Sequence, residues 1–279
     1  MPETTSCAAA DAVAAENARS YYRHLGENRY ESTIHSQGAW NTHEQHMAPV
    51  TGIMTHALEQ YQPRADMRLA RLSFDILGLI PAGEFTIETM MLRPGKTIEL
   101  LQAELIANGR VAVRATAWRL QKGDTSSVQA YEDEPMASLE SANSWDGMNT
   151  WPGGFIRSIE ARVNAGHRAG RGRVWLRTPF PMLDGGAPSS ALVRLLGLAD
   201  SANGVSARMD PSSGGWMFPN VDLSLHIYRE PEGEWLGLDT HVTMAGDGIG
   251  LTSAVLNDRK GPFARSEQIL TVRPFPSAS

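Results

Sequence analysis

The chain has 279 residues, with 25 Lys plus Arg against 31 Asp plus Glu, for a formal net charge of −6. With 42% hydrophobic and 20% charged residues, this is the composition of a soluble globule of one large or two moderate domains. It lacks the clustered basic residues that nucleic-acid binding requires. No apolar run reaches the ~18 residues of a membrane-spanning helix, Met1 to Ala15 has neither the basic start nor the hydrophobic core of a signal peptide, and the cytoplasm is the expected location.

Taken in chain order, the lone cysteine, Cys7, lies in an Ala-rich leader and has no partner for an intramolecular disulfide. Met47, Val50, Met54, Leu58 and Tyr61 recur at spacings of three and four, which predicts an amphipathic helix that ends before Pro63. Four strands follow at Met67 to Leu77, Glu84 to Leu92, Thr97 to Ile106 and Arg110 to Leu120, separated by turn residues such as Arg93-Pro94-Gly95 and Asn108-Gly109. From Lys122 to Pro152 the chain is polar and aperiodic, a linker packed over the surface, in which Trp145 and Trp151 argue against full disorder. Phe155 to Val163 and Arg173 to Arg177 read as strands, and the basic run His167 to Arg173 as a turn between them. Ser189 or Ser190 caps a second helix with Leu192, Leu195, Leu196 and Ala199 on one face and Asn203-Gly204 as its terminator. Strands at Val221 to Tyr228, Glu234 to Met244, Gly248 to Leu256 and Pro262 to Val272 close the chain. Gly52 and Gly197 lie inside the two helices, at a cost of about 1 kcal/mol each against Ala, so each helix is expected to approach a sheet closely there.

The order helix then meander occurs twice, and the two copies align. Pro81-Ala82-Gly83-Glu84-Phe85 returns as Pro231-Glu232-Gly233-Glu234-Trp235. Gly95, Ile98, Leu100, Ala103 and Leu105 match Gly246, Ile249, Leu251, Ala254 and Leu256, at a nearly constant offset of about 150 residues. The expected division is a first unit over 20–121, a linker over 122–152 and a second unit over 153–279. A curled antiparallel sheet wrapped around a helix, occurring twice, is an α+β pattern.

In this arrangement the segments Ala70-Arg71-Leu72-Ser73-Phe74-Asp75, Leu92-Arg93-Pro94-Gly95, Leu198-Ala199-Asp200 and Asn220-Val221-Asp222-Leu223-Ser224-Leu225-His226 through Ser266-Glu267-Gln268 resemble a known family. The chain is similar, from about Trp40 to Pro274, to the thioesterase-like superfamily, specifically to relatives of bacterial acyl-CoA thioesterase II. The resemblance implies a tandem (double) hotdog fold and hydrolysis of acyl-CoA or related acyl-thioesters by activated water. It implies a catalytic Asp, Thr and Gln in the second copy, carried onto Asp222, Thr243 and Gln268, a homo-oligomer, and no cofactor. In the first copy the matching positions hold Leu72, Arg93 and Ala117, so one competent and one structural half are expected.

By residue type alone, Asp222 is equally a capping or ion-pairing acid, with Asp75 a rival, and Thr243 is an ordinary strand residue. Of Glu267 and Gln268 one must face inward, and a buried Gln268 amide would need partners. His46 and Met47, at the start of the first helix, are the expected substrate-binding residues, because free backbone N–H groups there suit a thioester carbonyl. The family has His-Gly-Gly at this point. His46-Met47-Ala48-Pro49 departs from it, narrowing the approach and removing one donor. His43 and His46 lack the spacing of a zinc site, Gly246-Asp247-Gly248-Ile249-Gly250 reads as a hairpin turn, and no Gly-x-Ser-x-Gly elbow is present. Two other functions are compatible with the sequence. One is an enoyl-thioester hydratase or dehydratase using Asp222 and His226, and the other is a non-catalytic acyl- or lipid-binding protein.

Overall fold

The computed structural model describes residues 18–185, 188–210 and 215–275; Cys7 and the rest of the leader lie outside them. Strands β1 (Tyr22–Gly26), β2 (Arg29–Ser32), β3 (Met67–Ile76), β4 (Glu84–Arg93), β5 (Ile98–Ala107) and β6 (Arg110–Gln121) belong to the first copy, which carries helix α1 (Met47–Gln60). The remainder contributes β7 (Asn143–Ser144), the helical turn α2 (Gly154–Arg157), β8 (Glu160–Val163), β9 (Arg171–Arg177) and helices α3 (Ala191–Ala199) and α4 (Ala202–Val205). It ends with β10 (Trp216–Met217), β11 (Asp222–Ile227), β12 (Leu236–Met244), β13 (Ile249–Asp258), β14 (Gly261–Thr271) and β15 (Arg273–Pro274). The fold is an α+β double hotdog.

Thirteen of these strands form one antiparallel sheet in the order β1-β2-β4-β5-β6-β3-β11-β14-β13-β12-β9-β8-β7. Its centre is a palindrome of repeat equivalents, β4-β5-β6-β3 against β11-β14-β13-β12. The two copies join edge to edge through β3 and β11, where Leu72 lies opposite Leu225 and Ser73 opposite Ser224. The two serine hydroxyls, 151 positions apart in sequence, approach to 3.2 Å, so repeat-related residues meet across the pseudo-twofold axis. Strand β5 alternates strictly, with Glu99, Leu101, Ala103, Leu105 and Ala107 buried, and β14 buries Ser266, Gln268 and Leu270 on the same inner face. That face covers the helices, and residues of both copies share one hydrophobic cluster.

Three sequence expectations are corrected. The glycines of the helices meet each other rather than the sheet: a Cβ at Gly52 would stand 3.0 Å from the Gly197 Cα and 2.2 Å from the Met182 methyl. The segment starting at Phe155 is a helical turn before the strand, because Gly153 has φ 106° and a side chain at Gly154 would collide with the Ile34 carbonyl. The second helix stops at Ala199 with Asp200 as its cap, and Asn203-Gly204 lies inside α4, where the Asn203 amide donates to the Phe218 carbonyl. The hairpin β1-β2 escapes sequence reading altogether, although the buried Tyr22 packs edge-on against Phe85. Linker residues Met136 and Leu139 pack on Trp175 and Trp235.

Candidate active site

Asp200 closes helix α3 in helical backbone geometry and is buried. A carboxylate at that end faces the negative pole of the helix, so stability alone does not account for it. Its Oδ1 accepts two hydrogen bonds, from Asn220 Nδ2 at 2.7 Å and from Gln268 Nε2 at 2.7 Å. Gln268 arrives from β14, where strand alternation turns it inward and leaves Glu267 to bond Ser253. Asn220 sits just before β11 and also donates to the Asp222 carbonyl. Burial raises the Asp200 carboxyl from the ordinary carboxylate range to about 7, with the Asn220 and Gln268 amides opposing the rise.

On the other side of Asp200 stands the start of α1. His46 caps that helix, its Nδ1 accepting the Ala48 N–H at 3.0 Å, and its ring lies against Phe155. Burial pushes the imidazole down to about 4, so it is neutral, and because Nδ1 is an acceptor the ring proton is assigned to Nε2. The 3.8 Å between His46 Nδ1 and Asp200 Oδ2 is therefore neither an ion pair nor a hydrogen bond. Pro49 has no N–H and Ala48 is capped, which leaves the Met47 N–H with no hydrogen bond among the described residues. The Gln268 Oε1 is likewise buried and has no partner among the described residues.

Two cavities meet at Asp200, His46, Asn220 and Trp40. One, of roughly 350 Å³, opens to solvent past the exposed Leu79, Val221 and Arg273. The other, of roughly 50 Å³, is bounded by Met148, Trp151 and Ile156. No group of three or more potential metal ligands exists among the described residues.

The expected catalytic trio is not assembled. Gln268 is in the site, but Asp222 begins β11 with its Oδ1 accepting the Ile269 N–H at 2.7 Å, which ties two strand ends together. Thr243 is exposed on β12, opposite Leu251; the inward threonine beside Gln268 is Thr252, which bonds Asn203. His226, half of the pair that motivated the hydratase reading, is exposed on the outer face of β11. Asp75 lies opposite Asp222 across the join, outside the pocket lining. His46 and Met47 both line the pocket. Sequence reading passed over Asp200 and Asn220, although Asp200 carried a usable signal as an acid at a helix C-terminus amid apolar residues.

An antiparallel sheet doubled around two helices, with a buried acid between the halves, defines the class as a double-hotdog protein. Within it, the acyl-CoA thioesterase N-terminal domain family matches residues 36–120 and the acyl-CoA thioesterase C-terminal domain family matches residues 133–272. The chain belongs to this thioesterase-like superfamily. Among solved structures it is similar to a protein assigned as a thioesterase II from Thermobifida fusca YX, with 20% identity, a TM-score of 0.69, and 94% of this chain and 97% of that one covered. It is also similar to the acyl-CoA thioesterase II TesB2 of Mycobacterium marinum, with 14% identity, a TM-score of 0.65, and coverage of 92% and 96%. A hot dog fold protein of unknown function from Alicyclobacillus acidocaldarius matches at 13% identity and a TM-score of 0.70, covering 91% of this chain and 96% of that one. At these identities the structures establish the fold. No curated protein matches the chain.

Proposed function

We propose that the chain hydrolyses acyl-CoA or a closely related acyl-thioester by direct attack of water, with Asp200 as the base. The observation that carries this reading is a buried carboxyl near pKa 7 held by two amides at the meeting point of two cavities. A base poised at the working pH combines a usable ionised fraction with a strong pull on the proton of water.

Asn220 and Gln268 hold Oδ1, so Oδ2 is the oxygen that takes the proton. Gln268 holds Asp200 in place and lines neither cavity, so the water is positioned by Asp200 Oδ2 alone. The water oxygen bonds to the thioester carbon while Asp200 accepts its proton, and the carbonyl oxygen becomes an oxyanion. The Met47 N–H, at the positive end of a 14-residue helix, is the donor available to it. Collapse breaks the C–S bond, and Asp200 returns its proton to the departing thiolate. The products are a free acid and a free thiol, with the carboxylate regenerated. The exposed Arg273 at the mouth of the larger cavity is a cation for the substrate's phosphates.

The test is thiol release from a panel of acyl-CoAs at pH 8. Asp200→Asn is expected to lower kcat by about 10²–10⁴-fold, and Thr243→Ala to leave it unchanged. An Asp200→Asn variant as active as the parent chain would overturn the assignment, and release from no substrate would overturn the activity.

A further inference from the structure

Resting on the hydrolase reading above, we propose that the substrate carries a short acyl group of two to four carbons, and that Met148, Trp151 and Gly204 set this limit. A thioester whose carbonyl carbon stands beside Asp200 extends two arms away from it, and the structure offers two compartments of very different size. The thiol arm of CoA is far too large for a compartment of roughly 50 Å³, so it occupies the one of roughly 350 Å³ and reaches solvent past Leu79, Val221 and Arg273, where its nucleotide remains. An apolar cavity of roughly 150 Å³ just accommodates benzene, or about 25 Å³ per non-hydrogen atom. By that measure the outer compartment of roughly 350 Å³ holds about 14 atoms, so a pantetheine arm fills it and leaves no room for a long acyl chain alongside.

The acyl arm is left with the smaller compartment of roughly 50 Å³, space for about two carbons beyond the carbonyl region. Its walls do not yield easily. Met148, Trp151 and Ile156 are 4%, 8% and 4% exposed. The Trp151 ring is wedged edge-on against Trp40, at 5.1 Å between centroids, and against Phe218, at 5.8 Å. Among the polar groups of its walls, Asn203 is bonded to the Phe218 carbonyl and to Thr252, while the Ser201 Oγ has no partner among the described residues. Gly204 forms part of the wall, and a methyl there would lie 3.7 Å from Trp151 Nε1 and 3.9 Å from the Met148 methyl, in ordinary contact. The compartment can therefore be narrowed as well as widened.

The experiment measures kcat/KM for acetyl-, butyryl-, octanoyl- and palmitoyl-CoA with the parent chain, Met148→Ala and Gly204→Ala. The parent is expected to lose about tenfold or more between butyryl and octanoyl, Met148→Ala to move that break toward octanoyl, and Gly204→Ala to lose butyryl relative to acetyl by about tenfold. A parent chain that prefers octanoyl or palmitoyl, or two variants that leave the ratios unchanged, would overturn the proposal while leaving hydrolysis intact. Calorimetry with Asp200→Asn separates the two failures. Binding that weakens with chain length, without turnover by the parent, sinks hydrolysis and keeps the size limit, whereas no binding of any of the four sinks both.

Discussion

Asp200 and His46 face each other with ionisation tendencies displaced in opposite directions, and each displacement has a consequence for stability. The folded chain raises Asp200 from 3.8 to about 7. Its contribution is fully present below the unfolded value and is lost as pH rises through the folded one. His46 is lowered from 6.5 to about 4, so its contribution is present above the unfolded value and is lost as pH falls through the folded one. Between about pH 4 and 6.5 the two slopes oppose each other and largely cancel in the parent chain. Asp200→Asn removes one of them. Urea titrations of that variant are expected to show stability rising from pH 4 to 6.5, and a midpoint above that of the parent at pH 8, where the parent must bury a charge. A variant less stable than the parent at pH 8 would show that the ionised carboxylate is stabilising in place. Of these residues, Gln268 was legible because strand alternation leaves only two orientations for Glu267 and Gln268. Asp200 shows in the sequence only as an acid amid apolar residues, because its role depends on Asn220 and Gln268, which reach it from 20 and 68 positions away.

At the scale of elements, the strands were read to within a few residues wherever hydrophobic alternation was bounded by turn residues, as at Arg93-Pro94-Gly95 before β5. The misreadings fall where tertiary contact overrides local pattern. The turn at Gly153-Gly154 is set by the proximity of Gln37, Gly38 and the Ile34 carbonyl, and no local periodicity encodes that. The helix glycines were legible as close approaches but not as to what they approach. Helices α1 and α3 cross at Gly52 and Gly197 with the Met182 methyl in the gap. Ala at position 52 would gain about 1 kcal/mol of helix propensity, but its Cβ would stand 2.2 Å from the Met182 methyl and 3.0 Å from the Gly197 Cα, and overpacking of that kind costs about 1–3 kcal/mol. Gly52→Ala is therefore expected to lower the urea midpoint, and an unchanged or raised midpoint would mean that the Met182 side chain leaves the gap at no cost.

At the scale of the molecule, the near-constant repeat offset is the sequence counterpart of the palindromic sheet, and the Ser73–Ser224 approach marks its axis. Duplication has let the two halves take different parts in the site. The first supplies His46 and the helix start at Met47, the second supplies Asp200, Asn220 and Gln268, and the site exists only where they meet. The net charge of −6 leaves cation supply at the mouth to individual residues such as Arg273. What the duplicated fold builds at its centre is a buried carboxyl, raised to about 7 beside two cavities, which the proposed hydrolysis uses as its base. The pH dependence of kcat for thiol release from acetyl-CoA reports on that group directly. The rate should rise with pH, reach half its plateau near pH 7 and stay level above it, since only ionised Asp200 accepts the proton. A kcat that stays flat from pH 5 to 9, or falls through pH 7, would contradict Asp200 as the base.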